Sequence, residues 1–455
     1  MITLLRHSRD LGLGVLTAAL CSSAALAQQS MPSQEEMWRI IQEQARQLAE
    51  QRREIDAMKQ AQVGPQTSQV QAAAAPIPQS PDVPVPAAAS PQVQAAVQPA
   101  QGPAPVPASP AGDPEGGWWE RTSIGGYGEL HYEGGNRDQI DFHRFVLFFG
   151  HKFNDRIRFF SELEVEHAYS GPNRPGEVEL EQAYLQFDLY RQHRLNAGLQ
   201  LIPVGILNEI HEPPTFFGVE RNPVETNIIP TTWREAGLGL NGFFGNSGLG
   251  YDLLVSSGLS VPLTGANAFR VRNGRTQVAA APAKAPSMTG RLKYTGILGV
   301  ELAATAHYEF DATQGAGDPV TGEDVPAWLF SAHAAANYMG FGLRALYASW
   351  SMDSVAAKAT GRDLQKGYYL EPSYRFLLSD AGFDNNAGEL GVFYRYSWWD
   401  NNAGLSSLGL ATTQHSFGAN YWPHPDVVFK LDYLWEELDS GAKTDRLNAG
   451  IGYQF

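Results

Sequence analysis

Sulfur chemistry is nearly absent from this chain. It has one cysteine, Cys21, so no internal disulfide can form and thiol redox or thiolate-metal chemistry has no foothold. Long apolar runs are missing as well: after Gln28 no stretch approaches the ~20 residues that a membrane-crossing helix needs. Lipid contact must then come from strands or not at all, and only a closed sheet keeps every backbone amide paired in hydrocarbon. A Gly-x-Ser-x-Gly nucleophile elbow is also lacking, which removes one local sign of a serine hydrolase. The formal net charge is −15; surface acidity is ordinary on secreted soluble proteins and decides nothing alone.

What is present begins with a leader. Arg6 and Arg9 precede an apolar run from Leu11 to Leu20, and Ala25-Leu26-Ala27 supplies a small-x-small cleavage pattern, so residues 1–27 read as a secretory signal peptide. Leu20 is too large for the position before a lipoprotein cysteine, which argues against lipid anchoring at Cys21.

From Gln34 to Gln60 there is neither glycine nor proline. Met37, Ile41, Gln44, Leu48, Gln51, Ile55 and Met58 fall on alternating three- and four-residue steps, the a/d seam of a short coiled coil within 28–60. About four heptads rise roughly 40 Å. The alternative is a lone amphipathic helix; a trimeric partner would give the seam somewhere to go. Residues 61–116 are dominated by alanine, proline, glutamine and valine, a semi-rigid spacer that cannot bury a core. Such a spacer would hold the helix in the periplasm, near peptidoglycan.

Residues 117–455 alternate apolar and polar positions in short stretches bounded by turn residues, the period of strands. Strands are expected near Thr122–Tyr132, Asp141–Lys152, Arg156–Tyr169, Val178–Tyr190, Arg194–Gly205, Arg234–Gly245, Gly248–Gly258 and Ser287–Gly296. Eight more are expected near Gly299–Phe310, Trp328–Met339, Phe341–Met352, Lys366–Leu377, Gly388–Trp399, Thr412–Trp422, Asp426–Glu437 and Asp445–Phe455. Junctions such as Asn154-Asp155, Asn246-Ser247 and Gly340 are tight, while alternate ones, Ile206–Trp233 and Leu259–Pro286 among them, are long. The fold class that follows is an all-β transmembrane barrel of about 16 antiparallel strands, with short periplasmic turns and long outer loops. Leu378–Asn386 is the one periplasmic turn longer than this pattern expects.

In Arg156–Tyr169, Ile157, Phe159, Leu163 and Val165 share one face, while Arg158, Glu162, Glu164 and Glu166 share the other. The first suits lipid and the second water. Phe149, Phe244, Tyr294, Phe341, Phe376, Tyr421 and Phe455 fall where a periplasmic aromatic girdle belongs. Clustered carboxylates can bind calcium or act in acid–base chemistry, but strand periodicity already explains Glu162, Glu164 and Glu166. His131, His307 and His333 are also on the inward face; single histidines on separate strands give no metal site. Inward bases Arg158, Arg344, Arg375, Arg395, Lys430 and Arg446 oppose an acidic loop carrying Glu209, Glu212, Glu220 and Glu225. If that loop folds inward, a basic wall faces an acidic lobe across a constriction, and width and charge select the solute.

The stretch Gly198-Leu199-Gln200-Leu201-Ile202-Pro203-Val204-Gly205, the acidic loop after it and Arg234-Glu235-Ala236-Gly237-Leu238 resemble the porin O and P family, the phosphate-selective porins and relatives. Gly125-Gly126-Tyr127-Gly128-Glu129 and Glu181-Gln182-Ala183-Tyr184-Leu185 are similar to that family too, across essentially the whole barrel. The resemblance implies a sixteen-stranded porin that assembles as a homotrimer in outer-membrane lipid, inserted by the barrel-assembly machinery that reads the terminal aromatic, Phe455. Arg158, Arg344, Arg375, Arg395, Lys430 and Arg446 would form a partial anion path, while inward acids that roughly match them count against phosphate selectivity. The expectation is an outer-membrane porin whose water-filled channel passes small hydrophilic solutes and ions, anions such as phosphate being one candidate class, with no cofactor, no metal and no nucleic-acid partner. Two other readings compete: a tether joining outer membrane to cell wall with its barrel plugged, and an outer-membrane hydrolase.

Overall fold

The computed structural model describes residues 117–135, 138–378 and 388–455. The expected signal peptide, coiled-coil helix and linker lie outside the described residues, as does most of the Leu378–Asn386 turn. A four-residue 3-10 turn, Trp118–Arg121, leads into the first strand. Sixteen strands then close into one antiparallel barrel, each pairing with its neighbours in sequence and the last with the first.

The strands are β1 (Thr122–Gly134), β2 (Gln139–Lys152), β3 (Ile157–Glu166), β4 (Val178–Tyr190), β5 (His193–Leu201), β6 (Arg234–Phe243), β7 (Leu249–Ser256) and β8 (Ser287–Tyr294). They continue as β9 (Val300–Glu309), β10 (Ala327–Tyr338), β11 (Phe341–Met352), β12 (Leu364–Leu378), β13 (Gly388–Asp400), β14 (Thr412–His424), β15 (Val427–Leu438) and β16 (Lys443–Gln454). Closure runs from Tyr127↔Gln454 to Gly134↔Leu447, and Gly126 and Phe455 exchange both backbone hydrogen bonds at 2.9 Å. The terminal residue is thus part of the seam. Two short helices sit in outer loops: α1 (Pro223–Asn227) and α2 (Val355–Thr360).

Most strand boundaries fall within a residue or two of the periodicity reading. β5 is the clearest departure: pairing stops at Leu201 instead of running to Gly205. Pro203 has no amide to donate to a ladder, so the sheet ends just before it.

The tight connections 153–156, 191–192, 339–340 and 425–426 lie at the end that holds both ends of the sheet, while 439–442 is a short turn at the other end. At Asn154 the side-chain Oδ1 accepts from the amides of Arg156 and Ile157 at 2.9 and 3.0 Å, a local bond that favours reversal over extension. The other end carries the long segments 202–233, 257–286 and 310–326. Outward positions are large and apolar, for example Leu163, Leu253, Leu343, Phe429, Leu431 and Ile451, all exposed. Inward positions include Glu129, Arg144, Glu162, Arg395, Lys430 and Asp432, all buried. Apolar side chains stay on the surface of a soluble protein only at a cost; around a barrel they define the lipid face. Phe149, Phe244, Phe341, Phe376 and Phe455 are exposed at the tight-turn end, with Tyr294 and Tyr421 half-buried there. No helix among the described residues is long and apolar enough to cross a membrane.

Outside the membrane the loops tie to one another. Ser354 caps α2 by accepting from the Ala357 amide at 2.9 Å and donates to Asp318 Oδ2 at 2.6 Å. That hydroxyl, with the backbone amides of Val320, Ala356 and Thr321, holds the Asp318 carboxyl well below the ordinary carboxylate range.

Candidate functional site

The chain from Ile202 to Trp233 folds into the barrel, and the first residues after β5 explain how. Gly205 adopts φ +70°, and a Cβ there would collide with the Glu225 carboxylate and Ile229. Only glycine takes this turn without strain. Asn208 then clasps the loop's two ends: its amide donates to the carbonyls of Ile202 (2.8 Å) and Trp233 (3.0 Å), and its Oδ1 accepts from the Trp233 amide at 2.7 Å. Glu225, at the start of α1, accepts from the amides of Ile206 (2.8 Å) and Leu207 (2.6 Å) and from the Tyr369 hydroxyl of β12 (2.7 Å). One carboxylate therefore fixes both the loop's internal shape and its position against the wall.

The tip of the loop crosses to the opposite side. Arg395 donates to the Phe217 carbonyl at 2.6 Å while pairing with Glu371 at 2.6 Å. Lys430 donates to the Gly218 carbonyl at 2.8 Å and lies 3.5 Å from the Phe216 ring centroid. Trp422 donates to Pro214, and Asn420 donates to Phe216 and accepts from Gly218. Asp432 accepts from the Val219 amide at 2.6 Å. The glycines of β16 make room for this: a Cβ on Gly452 would overlap Pro213. Two further anchors hold the near side, Arg344 to the Thr215 carbonyl (2.7 Å) and Arg291 to Glu209 through paired nitrogens.

The returning part of the loop, 228–233, is apolar. Ile228, Ile229 and Trp233 pack with Leu259, Phe269 and Val271 of the 257–286 loop, and with Leu329, Leu346, Trp350 and Met352 on the inward face of β10 and β11. Trp350 also donates to the Ile228 carbonyl at 2.9 Å. Each fully buried side chain of this kind contributes about 1.5–3 kcal/mol. This core occupies the lumen along one side, so the interior is not wet all round.

Open space remains on the other side. A cavity of about 360 Å³ lies between the loop tip and the inward faces of β1 and β13–β16. Its walls carry the acids Glu133, Glu220, Asp432 and Glu436 and the bases Arg221, Arg395 and Arg446. Four carboxylates face three guanidinium groups, so opposite charges nearly balance.

The remaining sequence-selected residues fall as follows. Glu162 and Glu164 are buried on β3, Glu164 pairing with Arg144 (3.2 Å), which also pairs with Glu129 (2.6 Å). Glu166 sits at the strand end, its amide donating to Glu177. Glu212 is buried and its carbonyl accepts from Thr215. Glu220 holds His131 at 2.8 Å. Arg158 pairs with Asp188 near the tight-turn end, and Arg375 lies over Trp422 at 4.1 Å with Glu389 at 3.4 Å. His307 and His333 are buried against Glu309 and Glu301 at 2.9 and 3.1 Å. Three of the six inward bases, Arg344, Arg395 and Lys430, are thus bonded to the loop's own carbonyls.

Sequence reasoning missed Glu181, His211, Arg291 and Tyr369. Glu181 is hidden by a β-bulge: Glu162 pairs with Gln182, but Leu163 pairs with Leu180, so Glu181 is an extra residue. Glu181 and Gln182 are both buried as a result. Period-two counting assigns one of each adjacent pair outward, and a bulge is what breaks that rule.

A closed sheet with an apolar exterior, a charged interior and an inserted loop defines a transmembrane β-barrel with a porin-like fold. The fold resembles that of the anion-selective porin from Comamonas acidovorans, with a TM-score of 0.50 at 10% identity over 73% of this chain and 99% of that one. The outer membrane channel DcaP of Acinetobacter baumannii aligns with a TM-score of 0.49 at 14% identity, over 73% of this chain and 97% of that one. No family model matches the sequence. By sequence the chain belongs to the same family as an uncharacterized protein of Aquifex aeolicus (strain VF5), 33% identical over 379 residues, which span 73% of this chain and 80% of that one.

Proposed function

We propose that this barrel is a passive channel of the Gram-negative outer membrane, carrying small hydrophilic solutes or ions along one side of its lumen. The observation that carries the reading is the off-centre cavity, roofed by the inserted loop and lined by near-balanced charge. Near balance favours weak ion preference over phosphate selectivity, because a ring of one sign is what builds a strong barrier to the other. We extend the proposal to a homotrimer of the porin O and P type, with 28–60 as a periplasmic coiled coil reaching toward peptidoglycan, 61–116 as its spacer, and Phe455 as the residue read at assembly.

Planar-bilayer recording in asymmetric salt tests it. Stable current steps, in threes for a trimer, with a small reversal potential are expected; an electrically silent folded protein would overturn it. The tether reading draws on a specific observation of its own, the apolar packing along β10 and β11 that fills part of the lumen, and electrical silence would favour that reading.

A further inference from the structure

Where the inserted loop passes β3 and β4, three buried side chains meet, two of them with hydrogen-bonding capacity unspent. His211 of the loop is 3% exposed, and Glu162 and Glu181 of the wall are each 1% exposed. Neither ring nitrogen of His211 has a hydrogen-bond partner among the described residues, and Glu181 Oε2 has none either. A buried polar group left unpaired costs about 1–3 kcal/mol; His211 Nε2 and Glu181 Oε2 face each other across the cluster with no aligned bond between them, which calls for an explanation. Protein groups supply only part of one: Gln182 satisfies Glu162 Oε2 at 2.7 Å, His211 makes long ion pairs with both carboxylates, and Arg234 lies 3.8 Å from Glu181 Oε1.

The spacing supplies one. His211 Nε2 lies 3.4 Å from Glu181 Oε2 and 3.7 Å from Glu162 Oε1, and all three ligand atoms fall within 4.8 Å of one another. Two ligands bound ~2.0–2.1 Å from one tetrahedral ion stand about 3.3–3.5 Å apart. The separations match those of groups sharing a cation, and they are longer than the ~2.7–2.9 Å of a direct charge-assisted hydrogen bond between the same groups. The β4 bulge adds a separate argument, since it turns Glu181 inward beside Glu162, and bulges recur where a side chain must be re-aimed.

We infer that Glu162, Glu181 and His211 bind a divalent first-row transition metal, with zinc the best match, and that this ion pins the inserted loop to the β3–β4 wall. One imidazole and two carboxylates form a borderline donor set that suits zinc better than calcium, which takes oxygen ligands only. Three protein ligands leave a fourth position for water. The site does not depend on whether the barrel conducts. A second cluster near the outer rim, Asp141, His143 and His167, also brings ligand atoms within 4.8 Å of one another and serves as the control.

The test uses the full chain, folded in detergent micelles, dialysed against zinc and then metal-free buffer, with bound metal measured by elemental analysis. One zinc per chain is expected for the native protein and for a His143→Ala/His167→Ala double variant; His211→Ala and Glu181→Gln should bind at least tenfold more weakly. Heat-modifiable gel mobility reports folding. Should the variants fail to fold, zinc X-ray absorption on the native protein decides: one imidazole with oxygen neighbours supports the site. Two imidazoles, loss of zinc in the His143/His167 variant, retention in His211→Ala or Glu181→Gln, or no bound metal would each overturn it.

Discussion

Removing the Glu225 side chain should undock the inserted loop while leaving the barrel intact. The carboxylate is fully buried and serves three donors: the amides of Ile206 and Leu207 and the hydroxyl of Tyr369, all at 2.6–2.8 Å. Each buried donor left unpaired costs about 1–3 kcal/mol, so Glu225→Ala should weaken docking by about 3–9 kcal/mol in total, with lumen water keeping the loss near the low end. Even 3 kcal/mol lowers the docked-to-undocked ratio by about two powers of ten. The sheet itself is untouched, because its ladder bonds do not involve this residue. Two assays should agree: the 202–233 loop becomes open to proteolysis from outside, and bilayer currents become larger and noisier, while the folded gel mobility is retained. If Glu225→Ala resists protease as the native protein does and records the same current, the loop is not held by this carboxylate and the account of the constriction fails.

Other outcomes follow from the same structure. Leu431→Arg places a charge on the lipid face near the middle of β15, where Leu431 is 53% exposed; unfolding from vesicles should show a loss of about 2–4 kcal/mol. Arg446→Gln takes one of three bases from a cavity that holds four acids, so the reversal potential should move toward cation preference. The 310–326 loop should stay tied to α2 well into acid: the Asp318 carboxyl is held low by Ser354 and backbone amides. A depressed folded value adds stability above the unfolded carboxylate range of about 3.9, lost only as pH falls through the folded value. Hydrogen-exchange protection factors in 353–363, taken relative to the intrinsic rate at each pH, should therefore be unchanged from pH 7 to 5, and Asp318→Asn should lower them throughout.

Much of the barrel was legible because a strand between lipid and water must alternate: Phe429, Leu431 and Trp435 against Lys430, Asp432 and Glu436 can fold no other way in a membrane. The alternation of short and long junctions located the outer end for the same reason. The interior was less legible, on two physical grounds. A bulge shifts parity without a mark in the composition, which is how Glu181 escaped notice. Loop residues such as Ile228, Ile229 and Trp233 carry no period at all, so nothing in their order says that they leave water to pack against Trp350 and Met352. The inward arginines were visible, but not their partners: Arg344 and Arg395 spend their nitrogens on loop carbonyls.

Packing one flank of the cylinder with apolar loop divides its circumference between two duties. On the channel reading, solutes would hug β13 to β16 and β1 like water in a gutter, and substitutions there would alter permeation with little effect on melting. Across the hoop, on β10 and β11, the same kind of change would alter melting first. Diversity among relatives that differ in cargo should accordingly gather on the gutter side.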